Sequence, residues 1–188
     1  MSVLRRNIFI LIFCLLCFDP EPGFAKGARL ADIIVTNSRD TLVVYLKLEG
    51  GFSRKIQEAV FSGVPTTFSF FITLEEGRTF WTDRVLAETV LHHTIKYNSL
   101  KKAFTVTRSW DSGPPVLVRS FEAARKLMTE VDGLRLIPLS RLTRGRRYTV
   151  SAKAKLSKIT LPFYLRYLLI MASQWEFETD WHTIDLTY

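Results

Sequence analysis

With 47% apolar side chains, fourteen phenylalanines and four tryptophans in 188 residues, the chain is far too apolar for a disordered polymer and reads as globular and aromatic-rich. Its formal charge of +8 favours anionic surroundings. No nucleic-acid-binding signature accompanies that charge, so nucleic acid is set aside as a partner.

The first twenty-five residues form a tripartite leader. Arg5 and Arg6 precede an eleven-residue apolar run, Ile8 to Phe18, which Asp19-Pro20-Glu21-Pro22 interrupts before Gly23-Phe24-Ala25 supplies small residues for signal peptidase. The run is about half the ~20 residues a membrane span requires. Residues 1–25 therefore read as a secretory signal peptide cleaved after Ala25, and 26–188 as one exported domain, periplasmic or held at the cell envelope. Cys14 and Cys17 both lie in the leader, each preceded by a bulky residue, Phe13 or Leu16, that a lipoprotein site would not tolerate. The exported part is expected to carry no thiol, disulfide, lipid anchor or transmembrane segment. Outside the cytoplasm its anionic partners would be phospholipid head groups, lipopolysaccharide, wall polymers or acidic proteins.

Period-two alternation dominates the exported part. Leu42, Val44, Leu46 and Leu48 predict one strand with a buried face, and Phe68, Phe70, Ile72 and Leu74 a second. Residues 84–97 alternate at unusual length, with Val85, Ala87, Leu91, Ile95 and Tyr97 on the apolar side. Asn98-Ser99-Leu100-Lys101 supplies a turn, and Phe104, Val106, Arg108 and Trp110 continue on a partner strand. Tyr148, Val150, Ala152, Ala154 and Leu156 alternate with Thr149, Ser151, Lys153 and Lys155, which places lysines on a solvent face. Ser53 can cap a helix over 54–62 that Gly63 and Pro65 stop, and Ser120 one over 121–131 that Gly133 ends. Helices without regular βαβ alternation predict a mainly β fold: an antiparallel β-sandwich, immunoglobulin-like or related, with two short helices in its crossovers. An α+β arrangement is the alternative.

The strand start at Ala28-Arg29-Leu30, the segment Ser53 to Pro65, the hairpin 84–108, and Ser173-Gln174-Trp175 followed by Thr179-Asp180-Trp181 stand in a characteristic order and spacing. In these features the chain resembles the bacterial exported family called domain of unknown function 4390, over nearly all of 28–188. That family has no established activity or catalytic residues. The resemblance implies an envelope role and transfers no site.

Candidate chemistry is sparse. His92 and His93 are adjacent on a strand and so point to opposite faces, which prevents joint chelation; His93 falls on the apolar side and is expected to be a hydrogen-bonded core residue. Asp111-Ser112-Gly113-Pro114-Pro115 has turn composition. Without a nucleophile elbow, thiol or phosphate loop, no catalytic residue, metal ligand or cofactor is assigned, and the chain reads as non-enzymatic; an unrecognised hydrolase assembled in three dimensions is the remote alternative. Arg135, Arg141, Arg144, Arg146, Arg147, Lys153, Lys155 and Lys158 place eight cations in twenty-four positions with no acid among them, and form the candidate surface for an anionic partner. Residues 159–172 are apolar apart from Arg166. They read as a buried crossover or, through Phe163, Tyr164, Tyr167 and Leu168, as a hydrophobic contact. Trp175, Phe177 and Trp181 read as core aromatics, with a carbohydrate-stacking platform as the other use of such residues. A bulge near 178–182 is expected where the apolar phase shifts to Ile184, Leu186 and Tyr188. The reading is an exported accessory or binding domain acting through protein contacts, with a lipid- or anionic-polymer-binding module as the alternative.

Overall fold

Every described strand pairs antiparallel. The computed structural model describes residues 27–78, 82–156 and 177–188. In chain order these form β1 (Arg29–Ser38), β2 (Thr41–Glu49), α1 (Arg54–Phe61), β3 (Thr66–Glu76), β4 (Arg84–Asn98), β5 (Ala103–Arg108) and β6 (Val116–Val118). Then come α2 (Phe121–Thr129), β7 (Glu130–Pro138), a 3-10 turn (Leu139–Arg141), β8 (Arg147–Leu156) and β9 (His182–Thr187). One sheet has the order β1-β2-β7 and the other β6-β5-β4-β3-β8-β9, so the fold is mainly β, a two-sheet sandwich.

Alternation in the sequence becomes the core directly. Leu42, Val44, Leu46 and Leu48 from the small sheet face Phe68, Phe70, Ile72, Leu74, Val150, Ala152 and Ala154 from the large one, all buried in a single cluster. The small sheet cannot cover six strands, and the helices fill the rest of its layer. In α2, Ala124 and Met128 are buried, and its Phe121 ring lies 5.7 Å from Phe104 and 5.5 Å from Phe52. Both helices start at the expected serines: Ser53 Oγ accepts from Ile56 N, and Ser120 Oγ from Ala123 N.

Two expectations are corrected. The second helix ends at Thr129 rather than 131, and the chain passes straight into β7, where Val131 is buried as a strand residue. Gly133 does not stop a helix. It sits inside β7 at φ +81°, beside a register break with β2 and against the ring of Tyr45, a conformation that disfavours any side chain. The expected hairpin forms, with 93–98 of β4 paired to 103–108 of β5, Ile95 opposite Val106 and Tyr97 opposite Phe104; Trp110, expected on the partner strand, lies in the turn after β5. Val85, however, is 52% exposed. The β3–β4 register shifts between Leu74 and Glu75, so Val85 leaves the core phase and Leu86 packs against the core instead. The bulge expected near 178–182 is present: Lys155 bridges Glu178 and Thr179 N donates to Ala154 O, whereas Ala152 pairs with His182, one residue out of step.

Candidate functional site

His93 is buried as expected and both ring nitrogens are engaged. Trp110 Nε1 can only donate, so the 2.8 Å contact makes His93 Nε2 an acceptor; Nδ1 then carries the proton and donates to Met128 O at 3.1 Å. Burial lowers the His93 pKa from 6.5 to about 4, and Arg108 adds to the effect against the Met128 hydrogen bond. The ring is a strut joining β4 to the end of α2. His92 faces the other side of the sheet, where Nδ1 meets Ser69 Oγ at 2.9 Å. The turn after β5 is tied in by an ion pair between Arg108 and Asp111, whose carboxylate also accepts from Gly113 N and is held below the usual range chiefly by that bond. Among the described residues no group of three or more His, Cys, Asp or Glu could hold a metal ion.

The seven described cations of the basic run are carried by different elements. Arg135 lies on β7 in the small sheet, Arg141 in the 3-10 turn, and Arg144 in the connection before β8. Lys153 and Lys155 share Glu178 at 2.6 and 3.1 Å, which lowers the Glu178 pKa through those hydrogen bonds. Lys153 is also flanked by two rings, its ammonium 4.9 Å from Trp181 and 5.4 Å from Phe71. Far from projecting into solvent, it is clamped. Phe177 points the other way, edge-on to Phe68 at 5.3 Å, so it and Trp181 do not make a common platform; Trp181, 50% exposed, is no core residue either. Lys158, Trp175 and the apolar segment 159–172 with Phe163, Tyr164, Tyr167 and Leu168 lie outside the described residues, as does the leader 1–25.

Arg146 and Arg147 remain, and the fold gives them a third partner. A groove of about 560 Å³ is bordered by Arg78 after β3, by Asp83, by Gly145, Arg146, Arg147 and Thr149 at the start of β8, and by Asp185 on β9. Its floor is fixed by backbone. Gly77 N donates to Arg147 O, Gly145 N to Tyr188 O, and Tyr188 N to Arg146 O, while Gly145 takes φ +75°. Tyr148, with its ring in the core, accepts at its hydroxyl from Thr143 N and donates to Thr143 O, which pins the connection carrying the arginines. The two lining carboxylates are already engaged: Asp83 Oδ1 accepts from Arg78 N at 3.2 Å, and Asp185 Oδ1 from Thr149 Oγ1 at 2.8 Å. Arg146 approaches Glu76 only at 4.0 Å, and Arg147 makes no ion pair among the described residues. Three arginines thus border one concavity, and a guanidinium fork is suited to carboxylate or phosphate.

Two of these three arginines stand in the basic run of the sequence, whereas Arg78 and both aspartates lie outside it. Arg78 and Asp185 stand far from Arg147 along the chain, and only the pairing of β8 between β3 and β9 brings them together.

A family model for a domain of unknown function, DUF4390, matches residues 25–185. The chain belongs to the DUF4390 family. No curated protein and no solved structure matches it. The match spans both sheets and the groove, so the arginine site is built within the DUF4390 domain itself. No described helix is long and apolar enough to cross a membrane.

Proposed function

We propose that this DUF4390 domain is an exported, non-enzymatic binding module of the cell envelope that contacts another protein through the arginine groove. The observation that carries this reading is the set of three arginines, Arg78, Arg146 and Arg147, bordering one concavity whose own carboxylates are already engaged by an amide and a hydroxyl. Asp83 and Asp185 also argue for a protein over a bare anionic surface. Two fixed carboxylates beside three arginines weaken the attraction to a uniform sheet of phosphate and suit a mixed-charge protein patch. The tripartite leader supports export.

Arg146→Glu combined with Arg147→Glu is expected to abolish co-purification with envelope material from cells expressing the full chain. Raising salt from 0.1 to 1 M, which shortens the Debye length from about 10 to about 3 Å, should release the wild type in the same way. Both sites are exposed, so each change should cost within about 0.5 kcal/mol and leave thermal unfolding nearly unmoved. Co-purification of the double variant at the wild-type level would remove the groove from the account. Equal binding of the wild type to protein-free anionic vesicles would replace the protein partner with lipid.

A further inference from the structure

Four strands end the two sheets, and three are blunted in recognisable ways. β6 is three residues long and follows Pro114-Pro115. β1 breaks register between Ala31 and Ile34, with Asp32 at φ +52°. β7 breaks register twice, holds Gly133 at φ +81° and ends at Pro138. Such bulges, prolines and short lengths are how proteins keep a sheet edge from pairing with another chain. β9 has none of them. His182 to Thr187 pair with β8 in unbroken register, without proline, glycine, lysine or bulge, and among the described residues no strand pairs with the outer edge. The one charge, Asp185, is turned to Thr149.

The backbone groups on that edge can be named. Tyr188 N donates to Arg146 O, and residues of an antiparallel strand direct their amide and carbonyl alternately to one neighbour and the other. Leu186, Ile184 and His182 therefore bond β8, whereas Thr187, Asp185 and Thr183 present their backbone groups outward. The side chains of Thr183 and Asp185 are meanwhile held on the sheet face by Ser151 and Thr149, and no other described strand covers the edge.

We infer that the outer edge of β9 receives an extended, acidic segment of the partner protein, which adds as a seventh strand to the large sheet. This deepens the proposed groove contact and rests on it. The charge decides the chemistry of the segment. Arg147 pairs with Thr187 at one end of β9, and an added strand would lie two strand spacings, about 10 Å, from β8, where an arginine and a glutamate side chain meet. Asp185 would repel an acid placed opposite it, so the acidic residues belong at the Thr187 end.

The test uses the full chain purified from cells and a synthetic peptide of alternating valine and threonine with two glutamates at its N-terminal end, the end that antiparallel addition lays beside Thr187. Amide hydrogen exchange is followed residue by residue. Peptide should protect the amides of Thr183, Asp185 and Thr187, while those of His182, Ile184 and Leu186 are already slow. Thr183→Pro, which removes one outward donor and leaves the β8 ladder intact, should weaken binding about tenfold or more. Should that variant fail to fold, exchange in the wild type decides alone. Unchanged exchange at all three amides overturns the edge site, and if Arg146→Glu with Arg147→Glu still abolishes envelope co-purification, the groove reading survives that failure. Protection with equal affinity for a peptide carrying two lysines in place of the glutamates overturns the acidic partner. Protection that rises with protein concentration in the absence of peptide identifies a second copy of this chain as the occupant and overturns it too.

Discussion

Val106→Asp is expected to leave the domain unfolded. Val106 is 1% exposed, midway along β5, opposite Ile95 on one side and Val116 on the other, and Arg108, two residues along the same strand, is already paired with Asp111. An unpaired carboxylate there costs several kcal/mol against a total stability of roughly 5–15 kcal/mol. Circular dichroism and thermal melting would read the loss. Val85 provides the contrast, because strict alternation places both valines in the core while the bulge in β4 turns only Val85 out. Val85→Lys should shift stability by no more than about 0.5 kcal/mol. A native-like melt for Val106→Asp, or unfolding by Val85→Lys, would show that this strand phase is wrong.

Acidification should destabilise the protein through His93. Its pKa is about 4 in the folded state and 6.5 when unfolded, so between those values the unfolded chain binds the proton more readily. Stability from the neutral ring is therefore complete above pH 6.5 and is lost as pH falls toward 4. The loss is about 3 kcal/mol, since each unit of difference is worth about 1.4 kcal/mol. Other carboxylates also titrate in this range, and His93→Gln isolates the histidine: a glutamine amide can donate to Met128 O and accept from Trp110 without taking a proton. Urea unfolding at pH 7 and pH 4 should show the variant less stable at pH 7 yet less sensitive to acid, by about 3 kcal/mol. Equal acid sensitivity in the two proteins would mean that His93 is not held neutral by its surroundings.

Where the chain keeps strict period-two alternation, as over Phe68–Leu74 and Tyr148–Leu156, the sequence contains the strand, its buried face and its place in the core. The helix caps at Ser53 and Ser120 are equally legible, because capping is a local interaction. What escapes a linear reading depends on non-local pairing. The β4 bulge exists only relative to β3, and nothing in the local pattern separates Val85 from Leu91. β7 is hidden because Glu130 to Val131 continues the helical apolar spacing of α2, so the switch to strand is made by docking against β2. The basic run is visible as composition, but Glu178, more than twenty residues further along the sequence, pairs with both Lys153 and Lys155, and Arg78 and Asp185 join Arg146 and Arg147 only through sheet order. A run of like charge in sequence thus becomes one groove, one clamp and scattered surface arginines.

The most direct measurement is photo-crosslinking in intact cells from a photoreactive side chain placed at Thr187, beside the arginine groove, with the same side chain at Leu100 on the exposed β4–β5 turn as the reference. One discrete protein adduct is expected from Thr187, absent from Leu100, and lost when Arg146→Glu and Arg147→Glu are introduced in the same chain. Adducts of equal pattern from both positions, or a Thr187 adduct that survives the arginine reversals, would contradict a protein contact at the groove.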